Sequence, residues 1–351
     1  MHEELYKNLR EFLDKLPGGY PETPTGVEIK ILKKLFTPED AELTLNLRQT
    51  PETPAEISKR TGIPEKKLAE KLEDMALRGL IFRVREGDQR KYQAVQFIVG
   101  IYEFQLATID REFCEYVEEY FPYLGMSFMP LETKQLRVAP IDAAIDAMPE
   151  VATYNKIRDL VKQQKLIAMV PCICRKEQGI MGKPCDRPKE LCFSFGEFAQ
   201  YTLDNKVGRQ LTVEEALKML DLAEESALVL QPSNTQELSW ICSCCGCCCG
   251  GLRRMKMMEN PADYVRSYYT ATIDADLCTA CGTCLDRCQI DAIKENGEVM
   301  EVDPARCIGC GLCVPTCPVE AVSLFEKAGV VTPPKDLNEM MDRLSKERGL
   351  A

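Results

Sequence analysis

The sequence predicts a multidomain α+β protein, in which a helical N-terminal part precedes a central α/β part and a small cysteine-rich C-terminal part. Three observations lead to this prediction. Residues 1–105 repeat the helical period of apolar side chains. Two later segments each place a helix before a short apolar strand. Of the 19 cysteines, 18 lie between Cys172 and Cys317.

Composition restricts the chemistry. The chain has 351 residues, enough for about two or three domains with hydrophobic cores. Its 44 Lys and Arg against 55 Asp and Glu give a formal net charge of −11, which argues against nucleic acid or an anionic membrane as the main partner of the whole chain. The single histidine, His2, excludes most His-dependent hydrolysis, zinc catalysis and haem ligation. The chemistry must therefore depend on sulfur.

The start of the chain predicts a reducing compartment. No basic segment followed by an apolar core opens the sequence, and no apolar run reaches the roughly 20 residues that span a membrane. We therefore expect a cytoplasmic protein without a membrane span. Thiolates there are free to bind metal instead of forming disulfides.

The sequence between Thr53 and Phe97 predicts two helices and a hairpin. Thr53 opens a helix that ends at Gly62, and Pro64 starts a second helix. Two alternating stretches, LIFRVR and RKYQAVQF, then flank a turn at Glu86–Gln89. This order resembles the winged helix-turn-helix domains of regulators, and residues 1–105 are assigned to such a domain.

The charge of this segment makes DNA a conceivable but not a favoured partner. From Glu56 to Lys91 the chain has ten Lys and Arg and seven Asp and Glu, a net charge of +3. The basic residues that would contact phosphates are Lys66, Lys67, Lys71, Arg83, Arg85, Arg90 and Lys91. Acidic residues dilute the second helix, so the alternative is a charged face used for protein contacts.

The central part, residues 106–269, contains two helix–strand units. A helix around Val151–Lys162 precedes LIAMV and then PCICR, and a helix from Thr212 precedes ALVLQ and a cysteine-rich loop. In open α/β sheets, ligands bind beyond the carboxyl ends of the strands, so we expect the thiols to gather there.

Ten cysteines of this part are candidate metal ligands. The first four, which could close one tetrahedral site, are Cys172, Cys174, Cys185 and Cys192. The other six are Cys242, Cys244, Cys245, Cys247, Cys248 and Cys249. Because adjacent side chains diverge, these six serve two centres or mix with the first group. We expect one or two additional iron-sulfur clusters, or zinc, with the sharing of ligands left open.

The C-terminal cysteines follow C-x2-C-x2-C-x3-C twice, with an offset of 29 residues from Cys278 to Cys307. This spacing resembles that of bacterial two-cluster 4Fe-4S ferredoxins, over residues 270–327. Pro318 follows the second motif as in that family, but Gln289 stands where the first motif should have Pro. A helical tail is expected over residues 328–351.

The resemblance implies two 4Fe-4S clusters with crossed ligands, because the fourth Cys of each motif reaches the other cluster. Cluster I would take Cys278, Cys281, Cys284 and Cys317, and cluster II would take Cys307, Cys310, Cys313 and Cys288. Small residues such as Gly282, Gly309 and Gly311 would let backbone N–H groups approach the sulfides. The net charge of −7 from Thr272 to Glu326 suits a redox partner with a basic docking face.

Three functions remain open at this point. The ordered motifs from Pro171 to Cys317 resemble large ferredoxin-domain proteins of anaerobes, which implies iron-sulfur electron transfer to or from a further Cys-ligated centre or a partner. One alternative is a redox-sensing regulator that uses the winged helix. The other is an oxidoreductase with a catalytic metal site at Cys172 and Cys242. The sequence has no nucleotide-binding motif.

Overall fold

The computed structural model describes residues 2–146, 148 and 150–350. Residues 2–128, which contribute to one hydrophobic core and are called the N-terminal part of the structure, consist of helices and one hairpin. Its elements are α1 His2–Asp14, α2 Val27–Leu35, α3 Pro38–Thr44, α4 Pro54–Thr61, α5 Glu65–Leu77, β1 Phe82–Glu86, β2 Gln89–Gln93, α6 Tyr102–Phe104 and α7 Arg111–Phe128.

Local signals set the bounds of these elements. The Thr53 side chain accepts a hydrogen bond from the Glu56 N–H, and the Glu56 carboxylate accepts one from the Thr53 N–H, so α4 begins with the expected capping box. The helix ends at Gly62, whose φ of 72° is left-handed. The two helices and the antiparallel hairpin predicted from the sequence are present in that order.

Most of the basic side chains assigned to phosphates are paired with carboxylates of this chain. Arg83 is buried, with Nη1 2.7 Å from a carboxylate oxygen of Glu73, and Lys71 Nζ lies 2.7 Å from that of Asp40. The further pairs are Arg85 with Asp204, Arg90 with Glu73, and Lys91 with Glu86. These pairs reduce the positive charge that a phosphate backbone would meet.

The N-terminal part packs directly on the central part. Tyr201 donates a hydrogen bond of 2.7 Å to the Ala76 carbonyl, and its ring stacks on Phe82 with centroids 4.9 Å apart. Arg83 donates to the Asn205 side chain at 2.8 Å. One hydrophobic core therefore extends from α1 to Tyr201.

A five-stranded sheet forms the centre of the molecule. The strands and helices of the central part are β3 Arg137–Val138, α8 Ile157–Lys162, β4 Ile167–Pro171, α9 Ile173–Ile180, β5 Glu190–Phe195, α10 Gly196–Asp204, β6 Arg209–Leu211, α11 Val213–Glu225, β7 Val229–Pro232, β8 Trp240–Cys244, α12 Gly250–Met255 and β9 Arg266–Ser267. The order in the sheet is β6-β4-β5-β8-β7, and the short strands β3 and β9 pair with each other.

Every pairing in this sheet is antiparallel, so the expected α/β arrangement of the central part is wrong in its topology. The two predicted strands are present as β4 and β7, but β5 and β8 lie between them. The two expected helix–strand units do not include β5 or β8, which carry Cys192, Cys242 and Cys244. In the antiparallel sheet, the end of β4, the start of β5 and the end of β8 meet at one edge.

The C-terminal module shares a hydrophobic core with the central part. Its elements are β10 Tyr269–Ile273, α13 Thr283–Arg287, β11 Ile293–Asn296, β12 Val299–Val302 and β13 Val322–Glu326, followed by α14 Leu337–Glu347. β10 pairs with β13, and β11 pairs with β12. Ile308 and Leu312 of the module belong to the same core as Val229 of β7. After α14, the Arg348 side chain donates a hydrogen bond of 2.6 Å to the Leu16 carbonyl.

The longest helix among the described residues is α7, with 18 residues, and it carries Arg111 and four glutamates. Within the part of the chain that the structure describes, no helix combines the length and apolar character that crossing a bilayer requires.

The buried carboxylate of Asp40 contributes to the pH dependence of stability. Its oxygens accept hydrogen bonds from Arg78 at 2.8 and 3.0 Å, and Lys71 Nζ lies 2.7 Å away. Burial alone would raise the pKa of Asp40, but the bonds from Arg78, Lys71 and Thr37 hold that pKa well below its ordinary value of 3.8. The ionised form of Asp40 therefore stabilises the folded chain.

We expect Asp40→Asn to lower the free energy of unfolding by about 3–5 kcal/mol, because two cations lose a buried partner. The control is Asp74→Asn, which removes an exposed partner of Arg78 and should cost less than about 1 kcal/mol. Because the folded pKa of Asp40 is depressed, its contribution is present above pH 3.8 and is lost as the pH falls through the folded pKa. Urea unfolding at about pH 7 measures the two losses, and equal losses in the two variants would contradict the prediction. The difference in stability between the wild type and Asp40→Asn should begin to shrink as the pH falls below 3.8.

Candidate metal centres

Four thiols of the C-terminal module surround one small cavity. Cys288, Cys307, Cys310 and Cys313 line a space of about 20 Å³, whose other walls include the apolar side chain of Ile308. Burial raises the pKa of Cys310 to about 12, so in a metal-free chain this thiol is protonated and metal binding must release its proton. Because Cys288 comes from the first motif and the other three from the second, the cavity joins the two motifs.

Backbone N–H groups point at half of the eight module thiols. The bonds run from Ala271 to Cys307 at 3.3 Å, Ala292 to Cys288 at 3.2 Å, Met300 to Cys278 at 3.3 Å and Ala321 to Cys317 at 3.2 Å. Hydrogen bonds of this kind favour the thiolate and tune the reduction potential of a cluster. The module therefore has the donor set that a thiolate-bound iron-sulfur cluster needs.

The remaining thiols of the first motif lie nearer the surface. Cys281 is exposed, whereas Cys284 is buried. Burial, with Cys278 and Cys281 close by, raises the pKa of Cys284. That these three thiols and Cys317 bind the same cluster stays a prediction.

The ten cysteines of the central part separate into two groups. Six thiols line one cavity at the ends of the strands, namely Cys172, Cys192, Cys242, Cys244, Cys249 and Cys174. We call this set the six-thiol ring. The four-thiol group consists of Cys185, Cys245, Cys247 and Cys248, whose Sγ atoms all lie within 4.8 Å of one another. The grouping suggested by sequence position, with Cys185 beside Cys172, is therefore not the one that the chain adopts.

The ends of the neighbouring strands β4, β5 and β8 position the ring. Cys192 lies in β5, and Cys242 and Cys244 lie two residues apart in β8, so that they share a face. The other ring members, at the end of β4 and the starts of α9 and α12, are Cys172, Cys174 and Cys249.

The divergence of adjacent side chains accounts for two of the three neighbouring pairs. Cys244 belongs to the ring and Cys245 to the four-thiol group, and Cys248 belongs to the four-thiol group and Cys249 to the ring. Cys247 and Cys248 stay together in the four-thiol group, with their Sγ atoms 3.8 Å apart. One short loop therefore supplies both centres. Cys185, from the segment after α9, completes the four-thiol group with its Sγ 3.5 Å from that of Cys247.

The four-thiol group has the spacing of a single tetrahedral ion. Thiolates that bind one ion at about 2.3 Å lie about 3.8 Å from each other. The Cys247 Sγ lies 3.5 Å from that of Cys185 and 3.8 Å from that of Cys248. A hydrogen bond from Cys248 lowers the pKa of Cys245 well below its ordinary value, which provides a thiolate for a cation. Zinc or a single iron fits these residues.

Arg175 lies between the two groups. Its side chain is 5% exposed, and Nη2 donates a hydrogen bond of 2.7 Å to the Ser243 carbonyl. Burial alone would lower the pKa of Arg175, but Cys172 of the ring and Cys245 of the four-thiol group raise that pKa above its usual value. The Nε and Nη1 atoms are buried without a hydrogen-bond partner.

The N-terminal part covers the ring. A cavity of about 280 Å³ separates the sheet edge from Ile98, Tyr102 and Phe121, and all six ring thiols line it. The Tyr102 hydroxyl contacts both Glu177 and, at 4.0 Å, the Cys174 Sγ. Burial and the hydrogen bond with Glu118 raise the pKa of Glu177. The ring therefore lies beside a mostly apolar cavity, and Tyr102 connects it to a carboxyl group whose pKa is raised.

Gln289 connects the module to the four-thiol group. Its Oε1 accepts a hydrogen bond of 3.0 Å from the Gly246 N–H, and it directly follows Cys288. Gly246 itself lies between Cys245 and Cys247. A Cβ atom at Gly246 would lie 2.2 Å from the Gln289 carbonyl oxygen, so only glycine permits this approach.

Two of these residues carry a signal in the sequence. Gln289 departs from the ferredoxin pattern, although the sequence does not show what it contacts. Arg175 ends the PCICR motif, and a cation next to two cysteines is a signal for a bound anion or cluster. Gly246 gave no signal that could be separated from ordinary loop composition.

A family model described as the 4Fe-4S dicluster domain matches residues 271–324. No curated protein and no solved structure gives a significant match to the chain. The matched segment contains both C-x2-C-x2-C-x3-C motifs, and the six-thiol ring and the four-thiol group lie outside it. The chain thus carries a ferredoxin-like 4Fe-4S module joined to a second set of clustered thiols.

Proposed function

We propose that this protein is an iron-sulfur electron-transfer protein that passes single electrons through two 4Fe-4S clusters to or from a further thiol-ligated centre of its central part. The observation that carries the proposal is the contact between Gln289 and Gly246. It places the module thiol Cys288 beside the loop that supplies both central thiol groups. An isolated carrier would not need this contact.

The proposed ligands of cluster I are Cys278, Cys281, Cys284 and Cys317, and those of cluster II are Cys307, Cys310, Cys313 and Cys288. The shared cavity of the last four thiols and the four N–H···S hydrogen bonds support this assignment. A bound 4Fe-4S cluster exchanges one electron, and the chain sets its potential through these donors and through burial.

The surface around Cys281 supports entry of electrons on the cluster I side. Cys281 is exposed, and so are Asp276 and Asp286 nearby in sequence. Leu277 and Leu285 are 51% and 42% exposed. Apolar contacts within an acidic rim suit a transient redox partner with a basic docking face. Cluster II, in contrast, is directed at the central thiols.

The structure bears unequally on the two alternative functions. The ion pairs of Lys71, Arg83 and Arg85 remove support from a DNA-binding regulator. The 280 Å³ cavity beside the ring favours an oxidoreductase site at Cys172 and Cys242 as the second candidate, because it has room for a small molecule next to the thiols.

Removing cluster II should uncouple the module from the central centre. Gly309 has a φ of +64°, and a Cβ there would lie 2.0 Å from the Tyr269 carbonyl oxygen, so Gly309→Ala must displace the loop between Cys307 and Cys310. We expect loss of about four of the roughly eight module irons. Cluster I should still be reduced, whereas reduction of the central centre should fail. Iron analysis and EPR of anaerobically purified protein measure this.

The control is Gly297→Ala, in the turn between β11 and β12. Gly297 has a similar φ of +66°, but a Cβ there meets no atom within 4 Å. This variant should keep its iron and its electron transfer. The proposal fails if Gly309→Ala, after loss of cluster II, still reduces the central centre at the wild-type rate.

Charge reversal at Asp276 and Asp286 tests the entry side. With both changed to Lys, reduction of the module by a cationic viologen radical should slow about 3–10-fold at low salt, and reduction by anionic dithionite should accelerate. Both effects should disappear at about 0.5 M salt because the salt screens the charges. Exposed Glu22 and Glu42, both changed to Lys, supply the same charge change on the N-terminal part. Stopped-flow rates equal in the two double variants would contradict entry at this face.

A further inference from the structure

The six-thiol ring has more ligands than an ordinary centre uses. A 4Fe-4S cluster binds four thiolates, one on each iron, and a tetrahedral ion also binds four. One such centre would leave two ring thiols unused, and two such centres would need eight thiols. The number of thiols therefore calls for a different kind of occupant.

The six ring thiols face one space. All six line the same cavity, whereas Cys185 and Cys247 of the four-thiol group do not. Two neighbouring strands supply three of the ring thiols, with Cys192 in β5 and Cys242 and Cys244 in β8. The six thiols therefore form one set around one space.

Positive charge and hydrogen-bond donors are directed at the same space. Arg175 is 95% buried, and its Nε and Nη1 have no partner in the protein. A buried cation with unused donors is costly unless an anion compensates it. Gln231 Nε2 and the Tyr102 hydroxyl each lie 4.0 Å from a ring sulfur, of Cys249 and Cys174 respectively. The chain therefore has donors prepared for an anionic, sulfur-rich group.

The chamber has space for such a group, and its walls are mostly apolar. Its volume is about 280 Å³, and its walls include Ile98, Phe121 and Trp240. The module cavity around Cys288 and Cys310, in comparison, measures about 20 Å³. Apolar walls of this kind control solvent access and potential at iron-sulfur centres.

We propose that the six-thiol ring binds one polynuclear iron-sulfur cluster that is larger than a four-iron cubane and is held by all six thiolates. Arg175 compensates its negative charge through Nε and Nη1. The four-thiol group beside it binds one tetrahedral ion, zinc or iron. The inference deepens the proposed function, because it identifies the central centre with which the module exchanges electrons.

Metal and sulfide analysis of the anaerobically purified full chain tests this. Two cubanes account for about eight irons and a third would give about twelve, so the ring should bring the total above about thirteen irons per chain. Cys192→Ala should remove all the ring iron together and leave about eight or nine, because the cluster is one unit. Cys247→Ala, in the four-thiol group, should remove about one metal ion and leave the ring iron in place.

Cys114→Ala is the matched control, because Cys114 is a buried thiol outside both groups and its loss should change no metal content. Mössbauer spectra of the wild type give a readout that needs no variant. A wild-type total of about twelve irons, or ring iron that Cys192→Ala removes only in part, would overturn the inference. About eight irons with intact module spectra would overturn it while leaving the module clusters of the proposed function in place.

Discussion

The hydrogen bond from the Gly246 N–H to the Gln289 side chain is the contact on which the arrangement of the centres depends. It requires a residue without a side chain at Gly246, because a Cβ would lie 2.2 Å from the Gln289 carbonyl oxygen. An ion pair of 2.9 Å between Lys256 and Asp291 stabilises the same arrangement of the module on the central part. The module is thereby fixed with Cys288 beside the central thiols, and its exposed Cys281 faces outward.

The N-terminal part covers the central thiols, a position that its helix order does not predict. Tyr102 and Phe121 of its helices cover the six-thiol ring, and its hairpin packs on α10. A buried iron-sulfur centre needs such a cover because solvent access changes its potential and its stability. The basic residue Arg83 serves this packing, since it pairs with Glu73 and reaches Asn205 instead of facing solvent.

The C-terminal module and the elements of the N-terminal hairpin could be predicted because their signals are local. Ligand spacing, capping boxes and alternation act over a few residues, as at Thr53 and Gly62. The antiparallel sheet and the place of Cys185 in the four-thiol group could not be predicted. Both depend on which distant segments of the chain pack together. Divergence of adjacent side chains predicts that Cys244 and Cys245 face different centres, but only the folded chain shows which distant thiols lie beside each of them.

The central claim is that cluster II communicates with the central thiol centre through the Gln289 contact. Gln289→Leu keeps the size of the side chain and leaves the Gly246 N–H buried without a partner. Rapid freeze-quench EPR after reduction of the module should show clusters I and II reduced at the wild-type rate and the central centre reduced about tenfold more slowly. The control, Gln164→Leu, exchanges the same side chains outside the contact and should leave both rates unchanged. An unchanged rate at the central centre in Gln289→Leu, with all its metal retained, would contradict the account.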